Sequence, residues 1–171
     1  MAAALRIFSK TARFPRRGGL ARRMDCADGE LMSTLVSATP RRGAILVVED
    51  REDVRQGLAQ LLEFHGFLVA EAGDGESALE QLAKSDAGVA LMLLDLMLPG
   101  AVSGRDIRGR MLQTPAHADI PTIIVTASEV DAPGRAGLCP TAWLEKPFRF
   151  DELLQLVRRF VVPEVPALAA D

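Results

Sequence analysis

The sequence predicts an α/β fold in which a parallel sheet is covered by helices on both faces. Two observations predict it. Five short apolar runs, rich in valine, isoleucine and leucine, are spread over residues 44–145, and continuous runs of this kind read as strands buried on both sides. Segments of helical period alternate with them, which selects a parallel sheet built with right-handed crossovers. The composition agrees. Of 171 residues, 49% are hydrophobic and only 5% aromatic, so the core is expected to be large and aliphatic.

The elements follow in order. AILVV after Gly43 is the first strand. A helix comes next, with Val54, Leu58, Leu61, Leu62 and His65 on one face and Gly66 as its stop. FLVAEA is the second strand. Asp74 is placed to cap a helix that turns Ala78, Leu79 and Leu82 inward. VALMLLD is the third strand, followed by a helix near Arg105–Leu112. PTIIVT is the fourth strand and AWLE a short fifth. The final helix carries Phe150, Leu153, Leu154, Val157, Phe160 and Val161 on one face and stops before Pro163.

This organises the chain as a basic N-terminal tail over residues 1–42, expected to be disordered, one domain over 43–162, and a short tail over 163–171. No apolar stretch reaches the ~18 residues of a membrane span. Residues 1–24 hold seven basic residues and no acidic one, whereas the remainder carries 23 acids against 13 bases, a net −10. An acidic body disfavours nucleic acid and suits a protein that holds a cation. Three readings of the basic start stay open: an organellar transit peptide, sequence upstream of the true start at Met24 or Met32, or an arm for an acidic surface. Cys26 and Cys139 form no metal or disulfide motif and are expected as free thiols. His65 and His117 lack ligand spacing, and His65 is expected at a helix C-terminus.

The chemistry lies at the strand ends. Strand one runs into Glu49-Asp50, strand three ends in Asp95, strand four in Thr126, and strand five runs into Lys146-Pro147. All of these fall at the carboxyl edge of the sheet, where such folds bind ligands. If strands one and three are neighbours, three carboxylates share a pocket, and their repulsion calls for a divalent cation with oxygen ligands. Mg²⁺ suits few carboxylates and several waters. An added ammonium and hydroxyl make the set fit for a phosphoryl group, with Asp95 able to accept it as a nucleophile.

The motifs ILVVEDREDVR, LLDLMLPG, IPTIIVTAS and WLEKPF resemble the signatures of response-regulator receiver domains of two-component signalling, over about Ala44–Val162. The resemblance implies a flavodoxin-like (βα)5 fold with strand order 2-1-3-4-5. It implies that Asp95 is the phosphoacceptor and that Asp50 ligates Mg²⁺ directly. Glu49 acts mainly through water, and the backbone carbonyl of Met97 completes the protein's share of the metal shell. Thr126 and Lys146 bind phosphoryl oxygens, Thr126 and Trp143 act as the switch pair, and the Lys146–Pro147 bond is cis. Trp143 also reads as a partly buried edge-strand aromatic. The expected role is that of a stand-alone cytoplasmic bacterial phosphoprotein, with no DNA-binding domain and no membrane attachment. It is a phosphoacceptor in a phosphorelay, not an enzyme beyond self-phosphotransfer and slow autodephosphorylation. A sensor histidine kinase or histidine phosphotransfer protein donates, and the face formed by helix four, strand five and helix five selects a downstream protein. A bacterial family favours the last two readings of the N-terminal tail.

The sequence departs from that family around the output face. PGAVSG carries an insertion after Asp95, and the Thr126–Lys146 interval is short and holds Pro133, Gly134, Gly137 and Pro140. Helix four is therefore expected to be short, bent or partly melted. Trp143 is larger than the aromatic usual at its position. Three other readings compete. An aspartate-based phosphatase would want a second acid where Met97 stands. A flavin carrier would place phosphate where Glu49-Asp50 repels it. An interaction module independent of phosphorylation is the remaining alternative. Met97 and Ser128 flank the site as poor bases for water, so slow self-dephosphorylation is expected.

Overall fold

The computed structural model describes residues 39–84, 88–126 and 135–164. Its elements are β1 (Ala44–Val48), α1 (Glu52–Phe64), β2 (Val69–Ala72), α2 (Gly75–Lys84), β3 (Val89–Asp95), α3 (Gly104–Gln113), β4 (Thr122–Thr126), β5 (Ala142–Glu145) and α4 (Phe150–Phe160). The five strands form one sheet in the order β2-β1-β3-β4-β5, and every pairing is parallel. This is the flavodoxin-like α/β arrangement. The helix expected between β4 and β5, with Pro133 and Gly134, lies outside the described residues, as do Ser128, most of the N-terminal tail and the last seven residues of the chain.

The apolar runs are continuous because alternate side chains enter two different cores. Ile45 and Val47 face one side of the sheet, packing with Leu58 and Leu62 of α1 and Leu153, Leu154, Val157 and Phe160 of α4. Leu46 and Val48 face the other, against Ala78 and Leu82 of α2 and Ile107 and Met111 of α3. Polar substitution on either face would strand a group away from water, which is why β1, β3 and β4 read as unbroken hydrophobic sequence. Each fully buried leucine or isoleucine contributes about 1.5–3 kcal/mol.

The helix ends have local causes. Asp74 Oδ1 accepts from the Ser77 backbone N–H at 2.7 Å ahead of α2. Ser103 and Asp106 form a capping box at the start of α3. Arg51 makes no side-chain cap for α1, but Glu52 and Asp53 lie in its first turn, where they favour the helix dipole. Gly66, with φ 84°, ends the same helix in the left-handed conformation. Two expectations are corrected. Leu61 is 44% exposed rather than inward; the face of α1 that meets the sheet is centred on Leu58 and Leu62, leaving Leu61 at its margin. Cys139 is disulfide-bonded rather than a free thiol, while Cys26 lies outside the described residues.

At the amino edge of the sheet, the Arg41 N–H donates to the Phe160 carbonyl at 2.7 Å and the Val162 N–H donates to the Arg41 carbonyl at 3.0 Å. The opposite edge is the one that matters for chemistry. β1 and β3 are adjacent there, yet α1 and α2–α3 leave to opposite faces, which opens a crevice at their carboxyl ends.

Candidate functional site

Parallel register brings the strand-end residues together. Val48 lies beside Leu94, so Glu49 and Asp95 leave neighbouring strands at the same level. Asp95 lies beside Val125, and Thr126 beside Glu145, which precedes Lys146. The Lys146 backbone N–H donates to the Thr126 carbonyl at 2.8 Å, tying the fourth and fifth strand ends. Glu49, Asp95 and Thr126 are buried, at 3%, 6% and 5% exposure, while Asp50 is exposed at the mouth.

The helix after β3 can approach this edge only because its first residue lacks a side chain. A Cβ on Gly104 would lie 2.2 Å from the Asp95 carbonyl oxygen and 2.7 Å from Leu96 Cα. Gly75 plays the same part for α2, where a Cβ would come 2.1 Å from the Val102 carbonyl.

Ligand atoms of Glu49, Asp50 and Asp95 all lie within 4.8 Å of one another. Lys146 Nζ donates to Asp95 Oδ2 at 2.7 Å and to Glu49 Oε2 at 2.5 Å. The Met97 backbone N–H donates to Asp95 Oδ1 at 2.8 Å, while the Met97 side chain is 73% exposed. Burial acts to lower the Lys146 pKa, but the hydrogen bonds and charges of Asp95 and Glu49 outweigh it and raise the pKa above its ordinary value. The ammonium is therefore held, and the three carboxylates with one ammonium leave a formal excess of two negative charges. That excess, the hard oxygen donors and their spacing fit Mg²⁺.

Trp143 is half-buried and packs with Leu96, Ile124 and Leu138, with the Arg135 guanidinium 4.7 Å from its ring centre. The Lys146–Pro147 peptide is cis. Thus Glu49, Asp50, Asp95 and Lys146 converge side chain to side chain, Thr126 and Met97 join through their backbone, and Trp143 stands behind Leu96 in a small apolar cluster.

Two arginines escaped the sequence reading. Arg55 Nη1 donates to the carbonyl oxygens of Glu49 at 2.9 Å and Asp50 at 3.4 Å. Arg108 is 4% exposed and donates to Leu138 O at 2.8 Å, Cys139 O at 2.6 Å and Thr122 Oγ1 at 3.1 Å. Burial lowers its pKa. Its position held a signal: four residues after Gly104 and three before Met111, it lies on the inward stripe of α3.

The response regulator receiver domain family model matches residues 45–158. The sensory transduction protein RegX3 of Mycolicibacterium smegmatis is 39% identical over 117 residues, covering 67% of this chain and 49% of that protein. The response regulator MprA of Mycobacterium tuberculosis is 37% identical over 132 residues, covering 74% and 54%. The chain thus spans about half the length of these curated relatives. Among solved structures, the response regulator TrrA of Thermotoga maritima, in complex with Mg²⁺ and BeF, aligns with TM-score 0.60 and 28% identity over 68% of this chain and 97% of that one. The chemotaxis protein CheY4 of Vibrio cholerae aligns with TM-score 0.62 over 71% of this chain and all of its own; at 24% identity it speaks to the fold alone.

Proposed function

The chain belongs to the response regulator receiver domain family, and from that premise we propose that it accepts a phosphoryl group on Asp95 from a sensor histidine kinase or histidine phosphotransfer protein. The observation that carries this reading is the convergence of Glu49, Asp50 and Asp95 around Lys146 at the switch point of the sheet. Asp50 and Asp95 would hold Mg²⁺ directly, with Glu49 through water and the Met97 carbonyl as a further donor. When bound, the ion offsets the charge of the phosphoryl oxygens.

The chain's own residues do the rest. An Asp95 carboxylate oxygen attacks phosphorus; the P–O bond forms as the P–N bond to the donor imidazole breaks. The leaving nitrogen keeps its electron pair and regains a proton from solvent. The Met97 N–H, already on Asp95 Oδ1, holds the carboxylate plane. Lys146 bridges the acceptor to Glu49 before transfer and is in position to turn to the phosphoryl oxygens afterwards. Thr126 supplies a hydroxyl from the end of β4. Its approach to the phosphoryl group, with an inward shift of Trp143, would change the face around β5 and α4 and so select a downstream protein. The chain acts as an acceptor and signal, not as an enzyme on other substrates, and it loses the group slowly. Its setting is the cytoplasm, where a histidine kinase presents phosphohistidine. No helix among the described residues is long and apolar enough to cross a membrane.

Intact-mass measurement after incubation with Mg²⁺ and acetyl phosphate tests the reading. Wild type is expected to gain one phosphoryl group and Asp95→Asn none. An unmodified wild type under a competent phosphodonor would refute it and leave phosphorylation-independent binding as the function; equal gain in both would refute Asp95 as the acceptor and place the group on another residue.

A further inference from the structure

We propose that Arg55 is a positioning residue for the cation site: its guanidinium fixes the Glu49–Asp50 turn so that both carboxylates face Asp95. The inference rests on the Mg²⁺ reading above. Arg55 lies one turn into α1, and its side chain is 16% exposed. Nη1 takes the carbonyls of both residues, at 2.9 and 3.4 Å. Nε lies 3.4 Å from Glu71 Oε2 on β2, which anchors the guanidinium from the other side. The Glu49 N–H on the Ala72 carbonyl at 3.1 Å sets the peptide plane before Glu49, and the two carbonyls held by Arg55 orient the planes on either side of Asp50, so together they set the directions in which both side chains leave the chain.

The surroundings are built to accommodate that group. A Cβ on Gly73 would meet Nη1 at 3.1 Å, so the chain after β2 gives way to the guanidinium. Asp74, next to it, feels the Arg55 charge among the influences that lower its pKa. A lysine could not reproduce this contact set. An ammonium is a point donor, whereas the planar fork reaches the carbonyls from one nitrogen and a carboxylate from another.

Geometry and charge make opposite predictions here. A cation beside an acidic site repels Mg²⁺, so if charge were all that mattered, removing it would tighten binding and Arg55→Lys would change nothing. If the guanidinium positions the turn, Arg55→Lys keeps the charge, loses the fork and weakens binding. Outer contacts of metal ligands commonly govern affinity by about tenfold or more.

The test is calorimetric titration of the full chain with Mg²⁺, for wild type, Arg55→Lys, Arg55→Gln and Gly73→Ala, with Asp50→Asn as the variant lacking a ligand. Arg55→Lys is expected to bind about tenfold more weakly, and Gly73→Ala to shift in the same direction by less, because its methyl displaces the guanidinium without removing it. At saturating Mg²⁺ the acetyl phosphate reaction of Arg55→Lys should recover the wild-type rate, with only the half-saturating Mg²⁺ concentration moved; a misfolded variant would lower both. Wild-type affinity in Arg55→Lys and Gly73→Ala, or tighter binding in Arg55→Gln, would overturn the proposal. If wild type binds Mg²⁺ but takes no phosphoryl group, the phosphoacceptor reading fails while the calorimetry still decides the role of Arg55. A wild type that binds no Mg²⁺ overturns both.

Discussion

Adding one methyl group at Gly104 is expected to damage both stability and phosphoryl transfer. The position opens α3, and an alanine Cβ there would lie 2.2 Å from the Asp95 carbonyl oxygen and 2.7 Å from Leu96 Cα. Ordinary contact begins near 3.4 Å, so the overlap exceeds an ångström, and both opposing atoms are backbone rather than the end of a flexible side chain. Alanine favours the helix by up to about 1 kcal/mol over glycine, but overpacking a close-packed site costs about 1–3 kcal/mol and sometimes more. With no side chain to swing aside, the upper end applies, and a net loss of about 2 kcal/mol is expected. Relief comes by moving α3 outward or the Asp95 backbone inward, and a displacement of about 1 Å at a reacting group can lower its rate by about 10²-fold. Gly109, in the same helix, has nothing within 4 Å of its would-be Cβ. Gly109→Ala is thus a matched control, expected to stabilise by about 0.5–1 kcal/mol. Urea unfolding gives the stabilities, and acetyl phosphate labelling at saturating Mg²⁺ gives the rates. A Gly104→Ala protein as stable and as reactive as wild type would show that the helix does not bear on Asp95 as described.

Two further outcomes are expected. Arg108→Met removes the donor from two carbonyls and the Thr122 hydroxyl; it should lower stability by about 2–4 kcal/mol in urea unfolding, and a loss below half of that would mean water replaces the guanidinium. The pKa of Asp74 is lowered chiefly by the Ser77 backbone N–H and that of Asp106 by the Ser103 side chain, each from the ordinary 3.8. A depressed carboxylate pKa contributes stability that is present above the unfolded value and lost as pH falls through the folded one. The starts of α2 and α3 should therefore lose amide protection below about pH 3.8, and the loss should be blunted in Asp74→Asn and Asp106→Asn.

Much of this was legible because burial on two faces leaves a one-dimensional trace. AILVV, VALMLLD and AWLE coincide with β1, β3 and β5 as folded. The carboxylates were legible because each interrupts or ends an apolar run, at a position the sheet topology places at one edge. The arginines were not. What makes Arg55 and Arg108 matter is which backbone carbonyls lie within reach, and a carbonyl has no letter in the sequence. FLVAEA ran two residues too long at its start, since only Val69–Ala72 pair with β1 while Phe67 is buried outside the ladder. Apolar character reports burial, and burial does not require a strand partner.

The backbone bonds between Arg41 and the Phe160–Val162 segment bring the two ends of the fold within touching distance at the edge remote from Asp95. The domain is therefore close to a closed ring, and a short peptide joining the regions of residues 39 and 164 would permit circular permutation with new termini cut at the exposed Gly88, just ahead of β3. Cargo fused directly at residue 39 or 164 would likewise start from the edge remote from the acidic crevice, leaving the path of an incoming phosphodonor open.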